Sequence, residues 1–309
     1  MKQSSYAIGI DVGGTSLKCG LINQDGGISY SFLFPLLNVT TEGEVIALIN
    51  AAIRKCAEQA QGQVIGVGIG FPGIIENNTV IGGADNLPGF ENLELGKIIA
   101  ASTSLNVVID NDANMMGWGE FSYGAAKHCT DVVFMTIGTG IGGSLVINGA
   151  LYGGYRNHGT ELGHIIIQQG GLACSCGASG CFEAYASVTA LINDYAIVKG
   201  INPDGINGRT VVSAYHAGER EAVAAMSRHF DHLATGVASL VNVFSPQKVV
   251  LGGGITESGA FYVQEVRTRV QGLAMPAASK YTTITGALLG NQAGLLGCGG
   301  RVFSMFSTK

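Results

Sequence analysis

The segment YAIGIDVGGTSLKCGLI, residues 6–22, decides the fold. It reads as two short apolar strands joined by a glycine-rich turn, and a hairpin signal at residues 23–27 leads to a third strand at 28–33. The same order of strand, glycine-rich turn and hairpin signal returns at 131–149, where GTGIGG at 138–143 forms the turn. The chain therefore contains a weak internal repeat, and its 309 residues suggest two domains or one large α/β unit.

Hydrophobic periodicity predicts the remaining elements. Apolar residues at helical spacing indicate helices, and short β-branched runs bounded by glycine indicate strands. The predicted helices are 42–60, 93–104, 113–123, 184–199, 220–244 and 290–297, and the further strands are 64–70, 107–109, 132–137, 144–147, 248–251 and 284–287.

The composition argues against several classes of protein. Hydrophobic residues make up 47% of the chain, which is enough for a sizeable core, and the formal charge is −5. Because no basic run is present, nucleic acid is not expected as a main partner. An odd count of seven cysteines fits a reducing cytoplasm better than a disulfide scaffold. No signal peptide and no stretch of about twenty apolar residues is evident, so we expect a cytoplasmic protein without a membrane span.

A cysteine-rich segment, YRNHGTELGHIIIQQGGLACSCGASGCFE, covers residues 155–183. His164, Cys174, Cys176 and Cys181 make a full tetrahedral set for a structural zinc ion. Since a closed set leaves no open coordination position, we expect the metal to support a site and not to perform the chemistry. The alternative is three scattered thiols and a satisfied histidine. However, a polar, glycine-rich loop is a poor core, and a disulfide between Cys174 and Cys176 would be strained.

Two glycine-rich turns, residues 13–15 and 138–140, are candidates for phosphate binding. Without Cβ atoms, successive backbone N–H groups can converge on an anion, and the threonine in each turn adds a hydroxyl donor. Asp11 ends a strand beside the first turn, where a magnesium ion that bridges phosphates would lie. Either turn alone could be a plain hairpin, and neither matches a Walker loop or a Rossmann fingerprint. Together with the glycines at 252–254, the pair predicts phosphate binding.

Asp112 is the candidate catalytic base, since phosphoryl transfer needs a carboxylate near the attacking hydroxyl. It follows a strand and precedes a helix, so the alternative is a helix N-cap. Asn111 beside it, and Asn86 in the DNLPG segment at 85–89, could hydrogen-bond the hydroxyls of a polyol. Alone, Asn86 would be an ordinary turn residue.

Two carboxylates accompany the cysteine-rich segment. Glu161 and Glu183 can accept hydrogen bonds from vicinal hydroxyls, and the ring nitrogen of His164 that does not bind zinc can donate one. Alone, each glutamate could be a solvated or capping residue. Their position beside a loop stiffened by metal favours the binding of a polyol.

These motifs closely resemble those of the ROK family (repressors, open reading frames and sugar kinases), and within it the bacterial glucokinases. The resemblance covers nearly the whole chain, from residues 8–15 to 252–254, and its most specific part is ELGH at 161–164 followed by CSCGASGCFE at 174–183. The family has an actin-like, ribonuclease H-like fold of two duplicated α/β domains around a cleft. This implies a small N-terminal α/β domain at 1–112, completed by a C-terminal helix at about 290–309, and a large α/β domain at 113–289 with the zinc loop.

The resemblance also implies the roles of individual residues. The first phosphate motif is Gly13, Gly14 and Thr15 with Asp11 near the magnesium ion, the second is Gly138, Thr139 and Gly140, and the adenosine-side turn is Gly252, Gly253 and Gly254. Asp112 is the general base on the sugar 6-hydroxyl. The hexose contacts are Asn86, Asn111, Asp112, Glu161, His164 and Glu183, and the zinc ligands are His164, Cys174, Cys176 and Cys181.

The implied activity is the ATP-dependent phosphorylation of a hexose in carbohydrate metabolism, with ATP, Mg²⁺ and a structural Zn²⁺. Glucose is the expected substrate. The alternatives are N-acetylmannosamine, N-acetylglucosamine, allose and fructose, or a non-catalytic sugar sensor. Thr160 stands where the family often has glycine, and this position beside the sugar bears on hexose preference; Asp110 stands where glutamate is common, with little expected effect. We expect a homodimer, and no room for the helix-turn-helix that the family's repressors carry before the first strand.

Overall fold

The computed structural model describes residues 5–36, 39–84, 87 and 89–307. By their internal contacts the residues form two compact units. The first unit has the limits Met1–His128, Leu151–Gly159 and Asn291–Lys309, and the second has the limits Cys129–Ala150 and Thr160–Gly290. The domain limits expected from the sequence, 1–112 with 290–309 and 113–289, stay a prediction.

A five-stranded sheet forms the centre of the first unit. The strands of this unit are β1 (Ser5–Val12), β2 (Ser16–Asn23), β3 (Ile28–Pro35), β4 (Gln63–Phe71), β5 (Ile74–Glu76), β6 (Thr79–Gly82) and β7 (Val107–Asn111). The order in the sheet is β3-β2-β1-β4-β7, while β5 and β6 form a separate hairpin. β1 is antiparallel to β2 and parallel to β4, and β4 is parallel to β7.

A second five-stranded sheet repeats this topology. Its strands are β8 (Val132–Ile137), β9 (Ile141–Ile147), β10 (Ala150–Tyr152), β11 (Lys248–Gly252) and β12 (Thr283–Gly286), in the order β10-β9-β8-β11-β12. β8 is antiparallel to β9 and parallel to β11, and β11 is parallel to β12. The internal repeat in the sequence thus corresponds to two sheets of the same strand order, and the predicted duplicated α/β fold is confirmed.

Helices cover both sheets. In the first unit they are α1 (Glu42–Gln59), α2 (Leu95–Thr103), α3 (Asp112–Tyr123) and α10 (Ala293–Phe306). In the second unit they are α4 (Glu183–Ala186), α5 (Val188–Lys199), α6 (Gly208–His216), α7 (Arg220–Phe244), α8 (Ala260–Leu273) and α9 (Pro276–Ser279). Each unit has its own core of buried aliphatic and aromatic side chains.

The C-terminal helix α10 packs directly on the backbone of β1 and β4. A Cβ atom at Gly68 would overlap the carbonyl oxygen of Cys298, and one at Gly9 would lie 2.5 Å from the carbonyl oxygen of Leu295. Because no side chain fits in such a space, glycine at these two strand positions is what allows the helix to approach.

Two predicted helices differ from those observed. The predicted helix 184–199 is divided into α4 and α5, because Ser187 has an extended backbone (ψ 164°) and its side chain caps α5 by accepting the N–H of Ala190. The predicted helix 290–297 starts later, at Ala293, and continues to Phe306. The helices α6, α8 and α9 have no counterpart among the predicted helices.

None of the helices in the described part of the chain is long and apolar enough to cross a membrane. All seven cysteines are free thiols. Among those outside the cysteine-rich loop, Cys19, Cys56 and Cys298 are buried, and burial raises the pKa of each of these thiols.

Candidate active site

Two three-residue turns occupy the same place in the two sheets. Residues 13–15 join β1 to β2, and residues 138–140 join β8 to β9. Each turn is closed by a backbone hydrogen bond of 2.9 Å, from Gly13 N–H to the Ser16 carbonyl and from Gly138 N–H to the Gly140 carbonyl. The two predicted phosphate motifs are therefore topologically equivalent. The second turn is shorter than the predicted 138–143, because Ile141 already belongs to β9.

Asp11 lies near the end of β1, opposite Lys18 in the ladder with β2. The ammonium group of Lys18 is 3.7 Å from Oδ2 of Asp11, and it donates a hydrogen bond to the carbonyl of Asn291. Burial raises the pKa of the Asp11 carboxyl, and the Lys18 charge acts in the opposite direction. A carboxylate beside a glycine turn can hold a hydrated magnesium ion, so the residues fit the predicted role.

The end of β7 carries the predicted base. Asn111 is the N-cap of α3: its Oδ1 accepts the N–H groups of Ala113 and Asn114, and its Nδ2 donates to the carbonyl of Gly73 at 2.9 Å. The alternative that Asp112 is the N-cap is therefore wrong. Asp112 stands in the first turn of α3, half-buried, with its Oδ1 2.9 Å from the N–H of Ala113. Asn86 lies outside the described residues, and its sugar contact stays a prediction.

The four predicted zinc ligands come together in the second unit. One ligand atom from each of His164, Cys174, Cys176 and Cys181 lies within 4.8 Å of the others. Nδ1 of His164 is 3.6 Å from Sγ of Cys174, and the Sγ atoms of Cys176 and Cys181 are also 3.6 Å apart. Three thiols and one imidazole in this arrangement are compatible with a structural zinc ion, which binds such a set as a closed tetrahedron.

Tight backbone turns bring these cysteines together. The N–H of Gly177 donates to the carbonyl of Cys174, and the N–H of Cys174 donates to the carbonyl of Ala178. Gly180 has a φ of 86°, and a Cβ atom there would overlap the carbonyl oxygen of Gln168. Glycine is therefore required just before the third cysteine.

Glu183 connects the cysteine-rich loop to the second glycine turn. Its Oε2 accepts the N–H of Ile141 at 2.8 Å, and its Oε1 accepts the hydroxyl of Ser175 at 3.5 Å. A Cβ atom at Gly140 would overlap Oε2, so glycine in the turn makes room for the carboxylate. Besides its predicted sugar contact, Glu183 thus supports the turn at residues 138–140.

Glu161 precedes a short 3-10 turn, Leu162–His164, and His164 is its last residue. Because Nδ1 of His164 faces the thiols, Nε2 is the nitrogen that can donate to a sugar hydroxyl. Thr160, just before Glu161, has a φ of 67°. A β-branched side chain rarely adopts this conformation, and such strain persists where the surrounding structure enforces it, often at functional sites.

A cavity of about 780 Å³ lies beside the second glycine turn. Gly138 and Thr139 line it, together with Gly254, which opens the 3-10 segment Gly254–Ser258. Gly253 has a φ of 96°, and a Cβ atom there would overlap the carbonyl oxygen of Ile137, so the ends of β11 and β8 meet at backbone distance. The volume is within the roughly 300–1,000 Å³ of small-molecule sites. Polar lining residues that the sequence had not singled out are Asn207, Arg209, Ser213, Glu257 and Ser258.

Asp110 and Asn157, both in the first unit, were not predicted as site residues. The carboxylate of Asp110 accepts a hydrogen bond from the side chain of Asn157, which has a φ of 62°. The only sequence signal was the residue type of Asn157, since asparagine tolerates the left-handed conformation better than most residues.

Residues 7–300 match the sequence pattern of the ROK family. The glucokinase of Thermotoga maritima is 32% identical over 302 residues, which are 94% of this chain and 95% of that protein. The ROK hexokinase from Thermus thermophilus has a TM-score of 0.84 at 28% identity, with 96% of this chain and 97% of that chain covered. A ROK family glucokinase from Streptomyces griseus, in complex with glucose and AMPPNP, has a TM-score of 0.78 at 30% identity, with 95% and 98% covered. The chain therefore belongs to the ROK family.

Proposed function

We propose that this protein is an ATP-dependent sugar kinase that transfers a phosphoryl group from ATP to the 6-hydroxyl of a hexose, with D-glucose as the substrate. One observation in the second unit carries the proposal. The cavity of about 780 Å³ is lined by Gly138 and Thr139 of the turn 138–140. Glu183, at the end of the cysteine-rich loop, accepts the N–H of Ile141 directly after that turn and the hydroxyl of Ser175 within the loop. A cavity of suitable size for a nucleotide, the turn that we propose to bind phosphate and the loop that we propose to bind the sugar all belong to the second unit.

The relatives support the same class of reaction. The Thermotoga maritima protein is named a glucokinase, and the Streptomyces griseus glucokinase was solved with glucose and an ATP analogue. Identities of about 30% over nearly the whole chain support a sugar kinase. The identity of the hexose is tested by comparing several sugars in one assay.

In the proposed mechanism the chain does its work by positioning and by proton transfer. Backbone N–H groups of the two glycine turns hold the phosphates of ATP. Asp112 accepts the proton of the 6-hydroxyl as that oxygen attacks the γ-phosphorus. Asn111, Glu161, His164 and Glu183 orient the sugar through its other hydroxyls.

Two metal ions are part of the proposal. A magnesium ion near Asp11 would screen the charge of the phosphates, and a zinc ion on His164 and the three cysteines would hold the loop rigid. The cluster of one imidazole and three thiols within 4.8 Å fits the zinc site. A homodimer and a cytoplasmic location stay predictions.

The test is ATP- and magnesium-dependent ADP release with D-glucose, beside mannose, allose, fructose and the two N-acetylhexosamines. We expect saturable turnover on glucose. Turnover on another sugar alone would keep the mechanism and move the question of specificity to Thr160, whose strained backbone precedes Glu161. Sugar binding without turnover on any of them would instead support a sugar sensor.

A further inference from the structure

A single carboxylate oxygen of Asp110 collects three N–H donors. Its Oδ1 accepts the backbone N–H of Asn111 at 2.8 Å, Nδ2 of Asn114 at 2.8 Å and Nδ2 of Asn157 at 3.1 Å. All four residues belong to the first unit. Asp110 is only 7% exposed, and a buried carboxylate is stable only where donors and positive charge compensate it.

A positive charge in α10 contributes to this compensation. Arg301 lies over the ring of Trp118 at 5.1 Å. Burial lowers the pKa of Arg301, and the negative charge of Asp110 acts in the opposite direction. Asp110 therefore interacts with β7, α3 and α10, and also with the segment that contains Asn157.

Asn157 belongs to a short segment, residues 155–158, that is held to β5 by side chains. Its Nδ2 also donates to the carbonyl of Ile75 at 2.8 Å. On either side of it, Nε of Arg156 is 2.7 Å from Oε1 of Glu76 and Nε2 of His158 is 3.6 Å from Oε2 of Glu76. Arg156 and Asn157 both have left-handed backbones, with φ of 55° and 62°. Since this conformation is costly without glycine, the side-chain bonds are what enforce it.

The two bonded residues stand next to the predicted site in sequence. Asp110 directly precedes Asn111 and Asp112, and Asn157 lies four positions before Glu161. The hydrogen bond between Asp110 and Asn157 thus ties the chain that leads into Glu161 to the end of β7.

We propose that Asp110 and Asn157 are positioning residues for the kinase reaction, and this inference rests on the proposed function. Asp110 fixes the backbone at Asn111 through its bond to that N–H, and Asn157 fixes the strained segment before Glu161. Neither residue touches the sugar; both act through Asn111 and Glu161, and the consequence is tighter sugar binding.

The test is Asn157→Gly, because glycine keeps the left-handed backbone and removes the side chain with its hydrogen bonds to Asp110 and Ile75. We expect the KM for sugar to rise about fivefold to tenfold, the loss typical of one or two hydrogen bonds. The KM for ATP should not change. The matched control is Asn148→Gly, at an asparagine with a φ of 51° whose backbone N–H bonds to Asp131; both KM values should stay as in the wild type.

A double variant separates positioning from a general loss of structure. Asp110→Asn removes the charge and keeps the shape, so it should also raise the KM for sugar. If the two residues act as a pair, adding Asn157→Gly to Asp110→Asn should raise it by less than about twofold more, because coupled sites are not additive. If Asn157→Gly does not fold, Asp110→Asn alone provides the comparison with the wild type.

The outcomes distinguish this inference from the function on which it rests. If the wild type is active and the KM for sugar in the folded variants stays within about twofold, the positioning role is wrong and the proposed function stands. A lower melting temperature with unchanged kinetic constants would show a purely structural role. In that case too, the positioning role is wrong and the proposed function stands. If the wild type neither phosphorylates nor binds any sugar of the panel, the proposed function fails, and the inference fails with it.

Discussion

At the start of α3, the N-cap is Asn111 and not the adjacent Asp112, which we propose as the catalytic base. A carboxylate at a helix start is usually a cap. Here Asn111 caps α3 with its own side chain, so Asp112 is not needed for that purpose. Asp112 is half-buried in the first helical turn, and the proposed function assigns it the substrate hydroxyl.

Asp112→Asn should therefore lower kcat by about 10²–10⁴-fold, which is what a positioned base contributes. The affinity for glucose should change little, since asparagine has nearly the same shape and can still form a hydrogen bond. Steady-state kinetics and a calorimetric titration with glucose measure the two effects separately. Asp25→Asn, which removes the same charge from the exposed turn between β2 and β3, is the control. Near-normal turnover in Asp112→Asn would mean that another group is the base.

The helices and strands differ in how clearly the sequence pattern predicts them. The predicted ranges 132–137 and 220–244 coincide with β8 and α7, because continuous or strictly periodic apolar residues are enough to define them. In α8 only Tyr262, Val266 and Val270 are buried, about one residue per turn, and this stripe is too thin to stand out. The division at Ser187 was missed because the apolar period continues across it.

In the candidate site, the separation of residues along the sequence decides which contacts could be predicted. The proposed zinc ligands could be predicted because they lie within eighteen positions of one another, from His164 to Cys181. The bond between Asp110 and Asn157 spans 47 positions and depends on an unusual φ, and neither property leaves a pattern in the sequence. The cluster of His164 and the three cysteines was therefore predictable from local spacing, whereas the contact between Asp110 and Asn157 was not.

The cysteine-rich loop should behave as one element. Cys176→Ser removes one of four ligands, so we expect at least about a tenfold loss of metal affinity, a lower melting temperature and a higher KM for sugar. Metal analysis should show about one zinc per wild-type chain. Cys129→Ser, at a half-buried cysteine outside the cluster, is the control. Unchanged melting and unchanged KM in Cys176→Ser would contradict a loop that is both support and site.

On the scale of the whole molecule, a buried histidine links stability to pH. His229, in the core of the second unit, is 2% exposed, and its Nε2 is 2.7 Å from the hydroxyl of Tyr262. Burial lowers the pKa of His229 to about 3, whereas in the unfolded chain it is about 6.5. Below about pH 6.5 the unfolded state gains a proton that the folded state cannot accept. The contribution of the buried, neutral His229 to the free energy of unfolding is therefore fully present above this pH. It is lost towards pH 3, at up to about 1.4 kcal/mol per pH unit.

We expect the midpoint of thermal unfolding to fall as the pH is lowered from 8 to 5, and His229→Gln should flatten that dependence, since glutamine does not titrate. The matched control is Tyr262→Phe, which removes the hydroxyl and keeps the histidine buried. It should lower the midpoint at every pH and keep the slope of the wild type. An unchanged slope in His229→Gln would show that other groups set the pH dependence.

The capping role of Asn111 leaves it a single N–H for a ligand, because Oδ1 accepts two backbone N–H groups and one N–H of Nδ2 is donated to Gly73. In the proposed sugar contacts, a hydroxyl opposite Asn111 must therefore accept a hydrogen bond, while a hydroxyl opposite Glu161 or Glu183 must donate one. Fluorine accepts weakly and never donates. Sugars in which fluorine replaces one hydroxyl therefore test these hydrogen-bond directions. Such an analogue should still bind when the fluorine is opposite Asn111, and it should bind poorly when the fluorine is opposite Glu161 or Glu183.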